Sequence, residues 1–264
     1  MEQQQPQPHQ QLKPEVKAYL DRIGFTGPID GSANVLAKLQ RCHLHAVPYE
    51  NLDILRGIPL SLKIEDLHDK IVTRRRGGYC FELNALFGWL LRELGYDVTD
   101  LVSRFWRDST DTPPKRRHQV LKVIVDGQPY LVDVGVGGIV PREPIAMNAH
   151  EEQQQGEETY RLEPDAQYGW FLTELKHGEW HRIYSFTEEP QLAGDYEFAT
   201  FWCENAPDSI FRQTPILAIR TNDGRNTVFG NEIRIFKATE VEVLTPENDE
   251  EFETALQQYF GIKR

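Results

Sequence analysis

Apolar positions recur at helical spacing through the first third of the chain and then give way to alternation. In SANVLAKLQRCHLHAV, Val35, Leu36, Leu39 and Cys42 fall on one stripe, the spacing of an amphipathic helix. Ser32 is placed to cap it, and Pro48 ends it. PEVKAYLDRIGF predicts a short helix with Pro14 in its first turn and Gly24 at its end. KIEDLHDKIVTRR predicts another. The segment between, YENLDILRGIPLSL, breaks the period and reads as a loop with a short strand. From about Cys80 to Leu94, Leu83, Leu86, Phe87, Leu90, Leu91 and Leu94 form one stripe, and Gly95 stops the helix. The first third is a bundle of helices.

The middle is β-rich. VTDLVSRFW, HQVLKVIVDG, PYLVDVGVG, YRLEP and YGWFLTELKHGEWHRIYSF are separated by Gly, Pro and Asp turn residues. DGQPY and KHGEW have the composition of hairpin turns, and HEEQQQGEE reads as a solvated loop. DYEFATFWCENA predicts a helix whose ATFWC aromatics form a packed face. The tail alternates strands (ILAIRT, NTVFG, EIRIFK, VEVL) and closes on a helix. Thr245 is its expected cap, Pro246 its first residue, and Phe252, Leu256 and Tyr259 its stripe. No internal repeat is visible. The expected class is α+β: helices, then antiparallel strands, then a mixed α/β tail.

Composition narrows the class. The 264 residues are 39% hydrophobic and 27% charged, enough to bury a core in one large domain or a few packed small ones. MEQQQPQPHQQ has nothing to bury and reads as a flexible leader. It lacks the features of a secretory signal, and no apolar run reaches the roughly 18 residues that span a bilayer. The expected location is cytoplasmic, with no membrane partner. A net charge of -12 argues against nucleic acid, although the basic cluster KRRH at 115–118 is able to meet phosphates locally. Cys42, Cys80 and Cys203 are too few and too scattered for a disulfide framework or a zinc site, so no metal is expected.

Chemistry concentrates at RGGYCFELN. The glycine pair permits unusual backbone and close approach. Cys80 then sits at a helix start, where unpaired amides and the helix dipole favour thiolate over thiol. Read alone, Cys80 is equally a small buried apolar residue. A nucleophilic cysteine needs a base, and the base an orienting acceptor. Of eight histidines, His118 opens a predicted strand. A two-residue turn at Asp126-Gly127 pairs Val125 with Gln128 and Val120 with Asp133, which puts His118 and Asp133 on one face, diagonal neighbours roughly 7–8 Å apart. A slip of one residue separates them. Cysteine on a helix start, histidine on a strand and aspartate on the next is the order of several unrelated thiol enzymes, among them transglutaminases and, with Asn third, papain-like proteases. Their shared chemistry is acyl transfer by a thiolate.

RGGYCFELN resembles the active-site signature of the arylamine N-acetyltransferases. VPYENLDI at 47–54 is similar to their PFENL motif, with Tyr49 in place of Phe. YLDRIGF, HQVLKV around His118 and DVGVGG around Asp133 correspond in kind and order. The specific motifs span roughly residues 18–142. The resemblance implies a helical bundle (13–96) after a leader (1–12), a β-barrel (97–190) and an α/β lid (191–264). It implies a Cys80–His118–Asp133 triad that takes an acetyl group from acetyl-CoA and passes it, in ping-pong fashion, to an arylamine, arylhydrazine or N-hydroxyarylamine. Tyr49 and Val136 would line the acceptor site. Many members have Phe at the position of Val136, so a roomier pocket is implied. Gly135 and Gly137 would let the cofactor approach, or else bulge the strand. Glu82 and Asn84 would fix the helix start, and Arg76 would pair with acidic groups. The chain stops soon after its last predicted helix, as in bacterial-type members. The competing readings are a thiol hydrolase or protease with the same triad, and a binding module in which these residues only pack.

Overall fold

The computed structural model describes residues 12–106, 112–138, 140–238 and 240–262; residues 1–11 of the expected leader lie outside these. The helical third comprises α1 (Pro14–Arg22), α2 (Ala33–Ala46), the short α3 (Leu52–Leu55), α4 (Ile64–His68) and α5 (Cys80–Glu93). Ser32 caps α2, accepting from Val35 N. Gly24 and Gly95 take positive φ after α1 and α5. Two features depart from expectation. YENLDILRGIPLSL holds a helix, α3, besides its two-residue strand β1 (Tyr49–Glu50). The helix that begins as α4 widens into a π turn at Asp69–Thr73, where Lys70 is buried.

The barrel strands are β2 (Asp97–Phe105), β3 (Arg116–Val125), β4 (Gln128–Val132), β5 (Ile145–Ala146), β6 (Gln153–Gln155), β7 (Glu158–Asp165), β8 (Gly169–Lys176) and β9 (Glu179–Phe186). They run antiparallel in the order β5-β4-β3-β2-β9-β8-β7-β6. The expected register holds at the first hairpin: Val125 pairs with Gln128, across Asp126 and Gly127 at φ 50° and 80°. Two positive φ values in a two-residue turn match the strand twist, and His177-Gly178 repeats the device. The sheet curls into a nearly closed barrel whose seam lies between β5 and β6.

That seam corrects the reading of HEEQQQGEE as a solvated loop. Gln153 donates its amide to Ala146 O at 2.9 Å and accepts from Ala146 N at 2.8 Å. Gln155 does the same with Glu143 O and N, at 2.9 and 3.0 Å. A primary amide carries the donor and acceptor of a peptide group, so two side chains do what one more strand would have done.

A second sheet runs β1-β10-β11-β12-β13, with β10 (Ile216–Arg220), β11 (Gly224–Phe229), β12 (Glu232–Lys237) and β13 (Glu240–Leu244). Leu217, Ile219, Val228 and Ile233 bury one face against α7 (Asp249–Phe260). The alternate residues face the other way, toward α5. The cap of α7 is Asn248, not Thr245: Asn248 Oδ1 accepts from Glu251 N at 3.0 Å, and Asn248 Nδ2 donates to Glu251 Oε1 at 3.0 Å. Three acids in the first turn favour that start. DYEFATFWCENA begins as a 3₁₀ turn (Ala193–Tyr196) and continues as α6 (Glu197–Asn205). Its aromatics are split: Cys203 is buried and Trp202 half-buried, while Phe198 is 87% exposed. One hydrophobic core runs without a break from the helices into the barrel.

Replacing Gln153 and Gln155 together by alanine removes four hydrogen bonds at the seam. We expect a loss of about 2 kcal/mol, read as a lower urea midpoint at unchanged slope.

Candidate active site

Cys80 is the first residue of α5, and Tyr79 is its cap. Glu82 Oε2 accepts from Tyr79 N at 2.7 Å. Both Glu82 oxygens also accept from Lys70 Nζ at 2.9 Å, and Lys70 pairs with Asp53 at 2.7 Å. Arg76 joins the cluster through Glu50 at 2.6 Å and Asp53 at 3.1 Å, as expected of it. Arg74 instead makes an exposed pair with Asp69. The glycines before the cysteine have a steric cause. A Cβ on Gly77 would lie 2.2 Å from Pro48 O, where Gly78 N donates to Pro48 O and Gly78 O accepts from Glu50 N.

The helix is locked to the barrel by Asn84, one turn beyond Cys80. Asn84 Nδ2 donates to Asp133 Oδ1 at 2.9 Å and to Gln119 O at 2.7 Å, and Asn84 Oδ1 accepts from Val134 N at 3.0 Å. Asn84 therefore does not fix the helix start; Glu82 does that. Asp133 lies just past β4 and His118 on β3. The imidazole Nε2 donates to Asp133 Oδ2 at 2.8 Å, and Gly135 N donates to Asp133 Oδ1 at 2.8 Å. Phe105 stands edge-on to the imidazole at 5.7 Å, and Tyr184 packs on it at 5.5 Å. Neither ring was singled out from sequence, because both reach the site by strand pairing distant from it in the chain.

Cys80, 4% exposed, opens on a cavity of about 470 Å³. Tyr49, Tyr79, Phe105, His118 and Phe211 surround it, and the open face of β10–β12 forms the far wall. The thiol donates to Arg117 O at 3.8 Å. Val136 and Gly135 line the cavity. Gly135 has no room for a side chain, since a Cβ would meet Asn84 Nδ2 at 2.4 Å. Gly137, at φ 68°, lies against the Ala218 backbone, 2.4 Å from where a Cβ would be. Burial pushes the Cys80 thiol well above the ordinary cysteine value, and Cys203 and Asp133 push it the same way. The Gln119 amide and the Tyr79 hydroxyl oppose them. The sequence expectation of a lowered thiol rested on the amides and dipole of the helix start; burial acts against that effect. A thiolate here requires a cation beside it. The described residues contain no group of three or more His, Cys, Asp or Glu suited to a metal, and no described helix is long and apolar enough to cross a membrane.

A family model described as N-acetyltransferase matches residues 32–263. The arylamine N-acetyltransferase of Mycobacterium tuberculosis (strain CDC 1551 / Oshkosh) is 36% identical over 94% of this chain and 89% of its own length. That of Mycolicibacterium smegmatis is 36% identical over 94% and 92%. Among solved structures, the enzyme from Salmonella typhimurium superposes with a TM-score of 0.91 at 30% identity, covering 96% of this chain and 92% of that one. The Mycobacterium marinum enzyme, solved in complex with CoA, gives 0.88 at 36%, covering 94% and 92%. The fold is that of these acyltransferases, and in this chain a cysteine opens α5. The chain belongs to the arylamine N-acetyltransferase family.

Lys70→Met leaves Glu82 and Asp53 buried without their shared cation. We expect a loss of about 3–5 kcal/mol in chemical denaturation, against less than about 1 kcal/mol for Arg74→Ala at its exposed pair.

Proposed function

We propose that the chain moves an acetyl group from acetyl-CoA to an arylamine, arylhydrazine or N-hydroxyarylamine through an acetyl-Cys80 thioester. The observation that carries this reading is the His118–Asp133 hydrogen bond at the wall of a cavity into which Cys80 opens. The CoA complex of the M. marinum relative supports the donor, and the S. typhimurium relative, named also N-hydroxyarylamine O-acetyltransferase, supports the acceptor range.

With Nε2 committed to Asp133, Nδ1 is the imidazole nitrogen left to take the thiol proton. The resulting imidazolium is the cation that the buried thiolate needs, and Asp133 stabilises it. The thiolate attacks the thioester carbonyl of acetyl-CoA, forming a new carbon–sulfur bond. Collapse of the tetrahedral intermediate breaks the bond to CoA, whose sulfur takes the proton from His118. The amine then attacks acetyl-Cys80 and gives its proton to His118, and the Cys80 sulfur leaves as the amide forms. The Cys80 amide, at the first position of α5, is the donor we assign to the oxyanion in both steps. Residues 13–96 thus supply the nucleophile, 97–190 the base and its orienting carboxylate, and 191–264 the cover over the cleft. Tyr49 and Val136 shape the acceptor site. Gly135 and Gly137 hold the loop after Asp133 close enough to leave room for the donor.

Incubation with acetyl-CoA alone is expected to add one acetyl group to wild-type protein and none to Cys80→Ala, by intact mass. A protein that hydrolyses the donor without a stable adduct or transfer to amine would count for the thiol-hydrolase reading. A second test addresses the ion pair. Wild-type alkylation by iodoacetamide should vary little between pH 6 and 8. In His118→Ala the thiol keeps its raised pKa without its partner, so alkylation at pH 7 should slow roughly tenfold or more and climb steeply with pH.

A further inference from the structure

α6 turns one side to the core and leaves the other bare. On the inner side Cys203 accepts from the Tyr79 hydroxyl at 3.1 Å, and Thr200 and Cys203 are buried. On the outer side Phe198 is 87% exposed and Phe201 67%. Gly194, Phe198, Phe201 and Asn205 are all exposed. They stand three or four residues apart, so they form one stripe along the helix and the turn that leads into it. Leu192, 76% exposed, lies at the head of that stripe. Two phenyl rings on one bare stripe mark a contact surface. The stripe is its own complement. Against a second α6 laid antiparallel, with a two-fold axis level with the Ala199–Thr200 bond, Phe198 meets Phe201 of the other copy and Phe201 meets Phe198. Gly194 then falls opposite Asn205, and the small ends leave room for four rings. Mutual pairing of this kind is the condition for an isologous contact. The two ends also differ in charge. Asp195 and Glu197 are exposed at the start of the segment, and at its end the Lys115 ammonium rests over Trp202 at 4.4 Å. Antiparallel packing sets the acidic start of one helix beside the cationic end of the other.

We propose that the outer stripe of α6 is the interface of a homodimer, packed antiparallel on α6 of a second copy. Phe198 and Phe201 offer on the order of 300 Å² per copy. Leu192 and the open edge of Trp202 bring the patch toward the roughly 600 Å² per partner at which specific interfaces begin. The contact is therefore small, and the dimer weak and reversible. An anionic lipid surface fits the stripe less well. Interfacial helices carry Lys and Arg on the polar face, whereas α6, EFATFWCEN, carries Glu197 and Glu204 and no base. The whole chain has 41 acids and 29 bases, which sets it further against such a surface. The contact is independent of the chemistry at Cys80.

Sedimentation velocity on the full chain, from about 1 to 100 µM, tests the contact. Wild type should pass from monomer to dimer across that range. Phe198→Ser and Phe201→Ser each take two rings from the interface, one per copy, and should raise Kd roughly tenfold or more. Lys115→Glu sets like charges together and should raise it roughly threefold. The urea midpoints of the serine variants should match wild type, because bare rings support little of the fold. Hydrogen exchange of wild type at the two ends of the range reads the same contact without any substitution. Protection gained at high concentration should fall on residues 193–205. Wild type that stays monomeric throughout overturns the proposal. A dimer that persists in both serine variants overturns it, as does protection gained elsewhere but not on α6. Monomeric protein that sediments with phosphatidylserine vesicles, and ceases to do so on Phe198→Ser, overturns it and assigns the stripe to lipid.

Discussion

The carboxylate of Asp133 is 2% exposed, and the site is arranged around the need to satisfy it. A buried carboxylate without partners costs several kcal/mol. Here it accepts from the Asn84 amide, the Gly135 backbone and the His118 imidazole. Those donors come from α5, from the loop after β4 and from β3. Satisfying one charge therefore fixes the helix that carries the thiol against the strands that carry the imidazole. Asn84 contributes most, because its two other bonds, to Gln119 and Val134, are to backbone on both sides of the carboxylate. Glycine at 135 follows from the same crowding.

A second constraint acts from below. Lys70, Arg76, Glu50, Asp53 and Glu82 form a buried charge cluster directly under the start of α5. Breaking one member strands the others. Its structural output is the capped amide of Tyr79, and with it the position of the next residue, Cys80. The thiol is thus held by hydrogen bonds through Asn84 on the barrel side and by ion pairs through Glu82 on the bundle side. Such fixation holds in place a thiol whose ionisation burial disfavours.

Much of this was legible in the amino-acid order. The Gly-Gly-Tyr-Cys junction followed by a leucine stripe announced a helix start with a thiol on it. The Asp-Gly turn set a register that carried His118 and Asp133 to one face, so simple counting placed their hydrogen bond. The rest depended on contacts that no local pattern encodes. The partners of Asn84 lie 35 to 50 residues away. Phe105, Tyr184 and Phe211 reach the site through strand pairing and a C-terminal turn. The polar tract at Gln153–Gln155 looked solvated because glutamine favours water, and only the open seam of a barrel gives its amides backbone to bind. At α7 the misplaced cap was a local error: Pro at a first turn is common, but Asn248 followed by three acids was the stronger signal.

The two-residue strand β1 pairs Tyr49 with Ala218 and Glu50 with Leu217, and Gly78 bridges to Tyr49 from the other side. The wall opposite the sulfur is consequently written late in the chain, yet stitched to the segment just ahead of Cys80. During synthesis the first half emerges with its thiol, imidazole and carboxylate in hand but with one flank bare. The cleft gains that wall only when the last third has left the ribosome and paired with that tiny edge, so enclosure of the sulfur is the late step of maturation.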